Sequence, residues 1–247
     1  MKRIVYGVHA VRAVMSGGRK VNTLHILQSM KLRPEFEALA ATVGASVRLQ
    51  EREALDALAG SRHHQGIIAE LTDAAERRAF NEQWLRSKFE SPRPSSLILA
   101  LDGIEDPRNF GACIRTAAAA GVDAMIFPRS RGTRLTPAAE KAASGGAEQV
   151  PIIAVSNLAR RLNWFASQGL QIIGADSDAS TPWHHARFDA PTVLVVGSEG
   201  RGLRQLTKSA CDALVSLPVT GGMASLNVSV ATGVLLYEVL RQRQCVR

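Results

Sequence analysis

Apolar residues recur along this chain in two alternating patterns. Short continuous runs, such as LILAL at 97–101 and VLVV at 193–196, are typical of strands that are buried on both faces. Between such runs, apolar residues recur every three or four positions in segments that end at glycine, such as GACIRTAAAAG at 111–121, and this spacing is typical of helices. The alternation predicts an α/β protein.

The first 72 residues are predicted to form one compact α/β unit. Its helices and strands are expected, in chain order, in the segments GVHAVRAVMSGG, TLHILQ, RPEFEALAATVG, SVRLQ, EREALDALAG and GIIAEL. Residues 73–96 differ, because a charged segment precedes the Ser/Pro-rich stretch SPRPSS, and we expect a charged helix followed by a stiff linker. Trp84 and Phe89 are interpreted as helix-packing residues, with base stacking as the alternative.

A second α/β unit is predicted over residues 97–247. Its strands are expected in the segments SLILALDGI, DAMIFP, VPIIAV, LQIIGAD, PTVLVVG and ALVSLPV. Helical segments separate most of these strands, and a last helix is expected within 218–238. This arrangement predicts a parallel sheet that is covered on both faces. Ligands of such sheets bind beyond the C-terminal ends of the strands, so the loops there are the candidate sites.

Composition limits the class of protein further. Of 247 residues, 46% are hydrophobic and 21% are charged, which suits a globular protein with a sizeable core. The chain has no apolar run of the ~18 residues that a membrane span needs, and its start lacks the features of a signal peptide. Three widely spaced cysteines, an odd number, fit a reducing cytoplasm. The net charge of +8 favours a polyanionic partner such as nucleic acid, with an ordinary solvated basic surface as the alternative.

The first candidate loop, DPRNFGACIR at 106–115, follows the first strand of the second unit. Asn109 precedes or opens a helix, so it is either a helix cap or a site residue. Arg115 is either solvated or functional, and it interrupts a helix face that is otherwise small and apolar.

The second candidate loop, GSEGRG at 197–202, follows the strand that ends in VLVV. Its glycines would allow the backbone to approach a ligand closely, although a plain tight turn is the alternative and the spacing matches no nucleotide-binding motif. Glu199 would repel a phosphate, so it suits a hydrogen bond from a sugar or base, or the acceptance of a proton.

The third candidate segment, TGGMASLNV at 220–228, opens the last predicted helix. Ser225 alone would be read as the N-cap of that helix, and Asn227 would then face solvent. The alternative is that Ser225 and Asn227 belong to a site, over which the loop with Gly221 and Gly222 closes.

In this order, the three segments resemble the three motifs of the SpoU/TrmH class of RNA 2'-O-ribose methyltransferases, which have the SPOUT fold. The similarity spans the whole second unit, and SLNVSVA at 225–231 is its most specific part. YGVHAV at 6–11 and HHQGI at 63–67 resemble the small RNA-binding domain of the 23S rRNA guanosine 2'-O-methyltransferase branch. The resemblance implies a methyltransferase domain with a C-terminal trefoil knot, a small L30e-like α/β domain at the N-terminus, and a homodimer formed through the methyltransferase domain.

The resemblance also implies a cofactor and a set of site residues. S-Adenosyl-L-methionine would be bound in the knot loops by Gly197, Gly200, Leu217 and Leu226. The polar residues that would act on or position the ribose are Asn109, Arg115, Glu199, Ser225 and Asn227. The class assigns activation of the 2'-hydroxyl to the arginine that matches Arg115. Because a guanidinium stays protonated, Arg115 would more simply gather a phosphate and stabilise the developing alkoxide, and Glu199 is a competing proton acceptor.

The implied substrate is one guanosine of 23S rRNA, free or in an assembling large subunit. A tRNA substrate and a non-enzymatic RNA-binding factor with a decayed site are the alternatives. Basic residues of the first unit would contact phosphates, among them Arg12, Arg19, Lys20 and Arg62. The pairs His63-His64 and His184-His185 lack companion ligands at metal-site spacing, so no metal is expected, and His64 is read as an RNA contact or a structural residue.

Overall fold

A computed structural model describes most of the chain, namely residues 3–17, 20–71, 80–130, 135–222 and 225–244. The chain divides into two compact units, residues 1–79 and 80–247. Each unit has its own sheet and its own hydrophobic core. No helix within the described ranges is long and apolar enough to cross a membrane.

The described residues of the first unit form a four-stranded mixed sheet with three helices. Its elements are β1 (Arg3–Tyr6), α1 (Val8–Ser16), β2 (Val21–Leu27), α2 (Arg33–Val43), β3 (Ser46–Gln50), α3 (Arg52–Ala59) and β4 (Ile67–Leu71). The strand order is β1-β4-β2-β3, in which β4 is antiparallel to β1 and β2, and β3 is parallel to β2. All six predicted elements are confirmed. The strand β1 was not predicted, because RIVY is too short to show a pattern by itself.

The core of the first unit lies between its sheet and two helices. Leu24 and Ile67 of the sheet share one buried cluster with Val14 of α1 and Phe36 of α2. The helix α2 ends as predicted at Gly44, which adopts the left-handed conformation (φ 69°) that favours glycine.

The second unit is a six-stranded sheet with helices on both faces. Its elements are α4 (Glu82–Phe89), β5 (Leu97–Asp102), α5 (Pro107–Ala119), β6 (Ala124–Pro128), α6 (Pro137–Ala143), β7 (Ile152–Val155), α7 (Leu158–Ser167), β8 (Gln171–Ala175), β9 (Thr192–Gly197), α8 (Gln205–Lys208), β10 (Ala213–Val215) and α9 (Val228–Gln244). The strand order is β10-β8-β9-β5-β6-β7, and every neighbouring pair is parallel. The predicted parallel sheet is confirmed.

The first five residues of β5, LILAL, show why a strand covered on both faces has a continuous apolar sequence. Leu99 belongs to the core that the sheet forms with α5, α6 and α9, whereas its neighbours Ile98 and Ala100 belong to the core on the opposite face, which includes residues of α4 and α7. Successive side chains of a strand point to opposite faces, so a strand covered on both sides needs apolar residues at every position.

Much of the predicted helix and linker at 73–96 is structurally part of the second unit. Residues 72–79 lie outside the described residues. Further on, α4 buries Leu85 and Phe89, and Trp84 packs against the same core, in agreement with the helix-packing interpretation. The SPRPSS stretch is held as well, because the guanidinium of Arg243 donates to the carbonyl of Ser95 at 2.7 Å.

The central strands end side by side at one edge of this sheet. In the β5–β9 pair, Asp102 lies opposite Gly197, and in the β8–β10 pair Ala175 lies opposite Val215. The loops that follow these four residues are therefore brought close together, although they are far apart in the chain.

Candidate functional site

A cavity of about 240 Å³ lies at the C-terminal ends of β8, β9 and β10. Loops that follow these strands form its walls, together with the first turn of α9. The residues predicted to hold the cofactor all line it: Gly197, Gly200, Leu217 and Leu226. Two of the predicted polar residues, Glu199 and Ser225, also line it.

Three of the predicted polar residues form a hydrogen-bonded cluster beside this cavity. The Oε1 atom of Glu199 accepts from Asn109 Nδ2 at 2.7 Å and from Asn227 Nδ2 at 2.7 Å. Asn227 Nδ2 also lies 3.1 Å from Asn109 Oδ1, and the Val228 amide lies 3.4 Å from the same carboxylate oxygen. These contacts fix the orientation of the Glu199 carboxylate, and among the described residues its Oε2 atom has no hydrogen-bond partner.

The start of α9 corrects the expectation for Ser225 and Asn227. The Oδ1 atom of Asn227 accepts from the Ser229 amide at 2.9 Å and from the Ser229 hydroxyl at 2.6 Å. Asn227 is therefore the capping residue, and the prediction that Ser225 caps this helix is wrong. Asn227 has both roles at once, because its Oδ1 atom caps the helix while its Nδ2 atom binds Glu199.

The start of α5 shows that Asn109 is not a helix cap. The helix begins at Pro107, and Asp106 caps it by accepting from the Arg108 amide at 2.9 Å. Asn109 therefore lies within the first turn rather than at the cap. Its side chain is left available for Glu199.

The glycine loop after β9 is both a tight turn and a wall of the cavity. Ser198 and Gly202 exchange two main-chain hydrogen bonds of 3.2 and 2.9 Å, which close the loop, and Glu199 lies inside it. A Cβ atom on Gly197 would lie 2.2 Å from the Gly202 carbonyl carbon. Only glycine fits at Gly197, because any larger residue would push this loop off the strand end.

Arg115 is not brought to the cluster within one chain. It is exposed on α5, it is not among the described residues that line the cavity, and it has no hydrogen-bond or ion-pair partner among the described residues. Among the described residues, the Arg115 guanidinium is thus an unpaired cation on α5, and it does not belong to the Asn109–Glu199–Asn227 cluster.

The cavity is also lined by charged residues that lie outside the three sequence motifs. Asp176, at the end of β8, is buried and forms an ion pair with Lys208 of α8. It also accepts from the Asp178 amide at 3.0 Å. The hydrogen bond to Asp176 raises the pKa of Lys208, so this amine remains a cation. The available signal was the carboxylate that directly follows the apolar run LQIIGA.

The two histidine pairs make contacts within the protein. His64 is buried, with Nε2 2.8 Å from Asp56 Oδ1, and its Nδ1 accepts from the Gly66 amide at 3.0 Å. This geometry supports the structural interpretation of His64. The rings of His184 and His185 contact each other edge to face, with 4.4 Å between their centroids. Within the described ranges, no three His, Cys, Asp or Glu residues are grouped so that they would hold a metal ion.

The predicted phosphate contacts of the first unit differ in their availability. Arg12 pairs with Glu35 at 2.7 Å, whereas the side chain of Arg62 is 90% exposed and lies 3.9 Å from Asp56. Lys20 is exposed, and Arg19 lies outside the described residues. Lys20 and Arg62 are therefore better placed than Arg12 to meet a polyanion.

Comparisons with known proteins agree with the geometry of both units. A sequence profile of the SpoU rRNA Methylase family matches residues 96–237, and a profile for RNA 2'-O ribose methyltransferase substrate binding matches residues 4–77. The chain is 42% identical to the 23S rRNA (guanosine-2'-O-)-methyltransferase RlmB of Pseudomonas putida, over 98% of each protein.

Solved structures show the same fold. An RNA 2'-O ribose methyltransferase superposes with a TM-score of 0.80 at 26% identity, over 98% of this chain and 89% of that one. An AdoMet-bound rRNA methyltransferase from Sinorhizobium meliloti superposes with a TM-score of 0.74 at 23% identity, over 97% and 87% of the two chains. From the profile match and the identity to its relatives, the chain belongs to the SpoU rRNA methylase family.

Proposed function

We propose that this protein uses S-adenosyl-L-methionine to methylate the ribose 2'-hydroxyl of a specific guanosine in 23S rRNA. The observation that carries the proposal is the Asn109–Glu199–Asn227 cluster, which lies beside a cavity lined by all four predicted cofactor residues. The names of relatives at 42% and 41% identity support the choice of 23S rRNA and of guanosine.

The cavity fits the chemistry of the methyl donor. Val196, Leu217 and Leu226 supply apolar walls for a flat ring, and the glycines expose main-chain groups that can recognise its polar edges. Among the described residues, the charged ones that line the cavity are three carboxylates and two cations, which leaves an excess of negative charge: Asp176, Asp178, Glu199, Arg201 and Lys208. That excess suits a cationic ligand. When bound, the donor supplies a methyl group on a positively charged sulfur.

We propose that Glu199 accepts the proton of the attacking 2'-hydroxyl. Its Oε1 atom is occupied by the amides of Asn109 and Asn227, so Oε2 is the atom that accepts the proton from the ribose 2'-hydroxyl. Asn109, Asn227 and Ser225 position the ribose. Arg115, which is exposed on α5 outside this cluster, is proposed to gather a phosphate of the RNA.

We infer that the enzyme is a homodimer in which α9 forms the contact. Val230 and Tyr237 lie two turns apart on this helix, are 52% and 54% exposed, and share a face with Val234. An exposed apolar stripe of this kind favours burial against a partner. The trefoil knot and the cytoplasmic location remain predictions, and they are supported by family membership and by the rRNA substrate.

The first unit is proposed to bind the RNA. Its match to a substrate-binding profile and its exposed cations, Lys20 and Arg62, support this role. Because phosphate contacts release counterions, RNA affinity is expected to fall steeply as the salt concentration rises.

The test is methyl transfer from tritium-labelled donor to 23S rRNA prepared from a strain that lacks this protein, with the modified ribose then mapped. We expect one guanosine to be labelled by the unmodified protein and none by Glu199→Ala. Transfer into tRNA alone would contradict the rRNA assignment. A protein that binds S-adenosylhomocysteine in calorimetry but methylates neither rRNA nor tRNA would contradict the enzymatic function.

A further inference from the structure

We propose that Asp102 and Arg204 form a clamp that positions Glu199 against Asn109 for the reaction. The inference rests on the proposed role of Glu199. Neither clamp residue is among the described residues that line the cavity, so both would act through the loops they hold.

The clamp lies where the two site loops leave the sheet. Asp102 is the last residue of β5 and lies opposite Gly197, the last residue of β9. Beyond Asp102 the chain leads to Asn109, and beyond Gly197 it leads to Glu199. Asp102 is thus placed at the common base of both loops.

The Asp102 carboxylate binds the far end of the glycine loop. It is only 1% exposed, its Oδ2 atom accepts from the Arg204 amide at 2.9 Å, and its Oδ1 atom lies 3.5 Å from Nη1 of Arg204. The near end of the loop is fixed covalently to β9 at Gly197. Since Ser198 and Gly202 are also hydrogen-bonded to each other, the segment that carries Glu199 is closed and held at both ends.

Arg204 packs against the first site loop as well. Gly103 has φ 79°, and a Cβ atom there would lie 2.8 Å from Nη2 of Arg204. The guanidinium therefore lies against the backbone of the loop that leads to Asn109. Arg204, which follows the glycine loop, thus contacts the base of the first loop, and the 2.7 Å contact between Asn109 and Glu199 joins the same two loops on the cavity side.

The geometry predicts a defect in turnover rather than in cofactor binding. A misplacement of ~1 Å at reacting groups can lower a rate by ~100-fold, whereas the apolar and main-chain contacts of the cavity would remain. A residue that only stabilised the fold would lower the melting temperature without changing the turnover of the folded enzyme.

The experiment compares Asp102→Asn and Arg204→Gln with Asp189→Asn, which removes the charge from an exposed ion pair of the same unit. We expect both clamp variants to lower kcat by at least ~10-fold, with less than about a threefold change in the Kd for S-adenosylhomocysteine. Arg204→Lys keeps a cation beside Asp102 but loses the planar guanidinium that lies against Gly103, so its kcat should fall between those of Arg204→Gln and the unmodified enzyme. The Asp189→Asn control should behave as the unmodified enzyme.

Two further measurements separate the clamp from the proposed role of Glu199. Amide hydrogen exchange should become faster in peptides that cover residues 197–204 of the clamp variants, and this readout needs no activity. In a Glu199→Gln background, Asp102→Asn should lower kcat no more than about twofold further, because both changes remove the same function.

The clamp is overturned if the clamp variants change neither kcat nor amide hydrogen exchange. It is also overturned if the losses of kcat are fully additive in the double variant, or if they only parallel the decrease in melting temperature. If Asp102→Asn does not fold, the half-exposed Arg204→Gln decides by the same criteria. Absence of methyl transfer by the unmodified protein would overturn the proposed function instead. The exchange measurement would still support or overturn the clamp in that event.

Discussion

Asn109 donates a hydrogen bond to Glu199 across 2.7 Å, although the two residues are 90 positions apart in the chain. They meet because β5 and β9 are adjacent and parallel, so their C-terminal ends lie at the same edge of the sheet. Asn227 joins them from the start of α9. The polar cluster thus depends on the order of the strands. Each of its three residues comes from a different segment, and each segment alone was only weak evidence for a functional site.

We predict that Glu199→Gln lowers kcat for methyl transfer by ~100-fold or more, because loss of a positioned general base typically costs a factor of ~10²–10⁴. Glutamine keeps the shape and an oxygen for the amides of Asn109 and Asn227, so donor affinity should change little. The measurement is single-turnover transfer of a labelled methyl group, together with calorimetry using S-adenosylhomocysteine.

The control for this prediction is Glu90→Gln, which changes an exposed carboxylate at the end of α4. An active Glu199→Gln combined with an inactive Arg115→Ala would assign proton removal to a group other than Glu199.

A second prediction concerns Gly197. The Gly197→Ala variant should lose about 1–3 kcal/mol of stability, which is typical of overpacking, because the new methyl group would meet the Gly202 backbone at 2.2 Å. It should also bind S-adenosylhomocysteine less tightly, since the displaced loop is a wall of the cavity. Thermal unfolding and calorimetry measure the two effects.

Gly221→Ala is the matched control, because a Cβ atom at Gly221 meets no atom of the described residues within 4 Å and Gly221 does not have a positive φ. Equal melting temperatures for the two variants would show that the close contact between Gly197 and Gly202 is not required.

The apolar pattern was sufficient to predict most of the fold. LILAL and VLVV are apolar at every position because helices cover both faces of their strands, and this is a property that the sequence displays directly. The short strand β1 escaped prediction, because pairing with β4 rather than its own pattern determines its conformation. Helix starts depend on which side chain reaches a free main-chain amide, and the cap of α5 is Asp106 instead of Asn109.

The site was only partly predictable, for a different reason. The order of three motifs identified the class, but no local pattern shows which polar side chains meet. Asp102 and Arg204 are separated by 102 positions, and the pairing of Asp176 with Lys208 likewise depends on the order of the strands. Single charged residues after strands are common in loops, so these pairs become visible only when the sheet is assembled.

The proposed dimer gives a third prediction. Val230→Glu, at the N-terminal end of the exposed apolar stripe of α9, should convert the dimer to a monomer, because burying an unpaired charge at an interface is costly. Light scattering should then report a mass near 26.5 kDa, against twice that value for the unmodified protein.

Leu206→Glu is the control for the dimer, since Leu206 is 75% exposed but lies on α8. A monomeric unmodified protein, or a dimer that Val230→Glu leaves intact, would contradict the assignment of α9 as the interface.

The cysteines of the second unit supply a prediction about chemical reactivity. Burial raises the pKa of the Cys113 thiol, the hydrogen bond with Thr232 partly offsets this rise, and the resulting pKa is about 11. Burial, together with nearby carboxylates, raises the pKa of Cys211 to about 12. Because the thiolate is the reactive form, ~0.1% or less of either group is reactive at pH 8. In a Cys245→Ser variant, a thiol reagent such as Ellman's reagent should therefore modify neither cysteine within minutes while the protein is folded. Both should react in denaturant, and rapid modification of either one in the folded protein would show that its surroundings are more open than the structure has them.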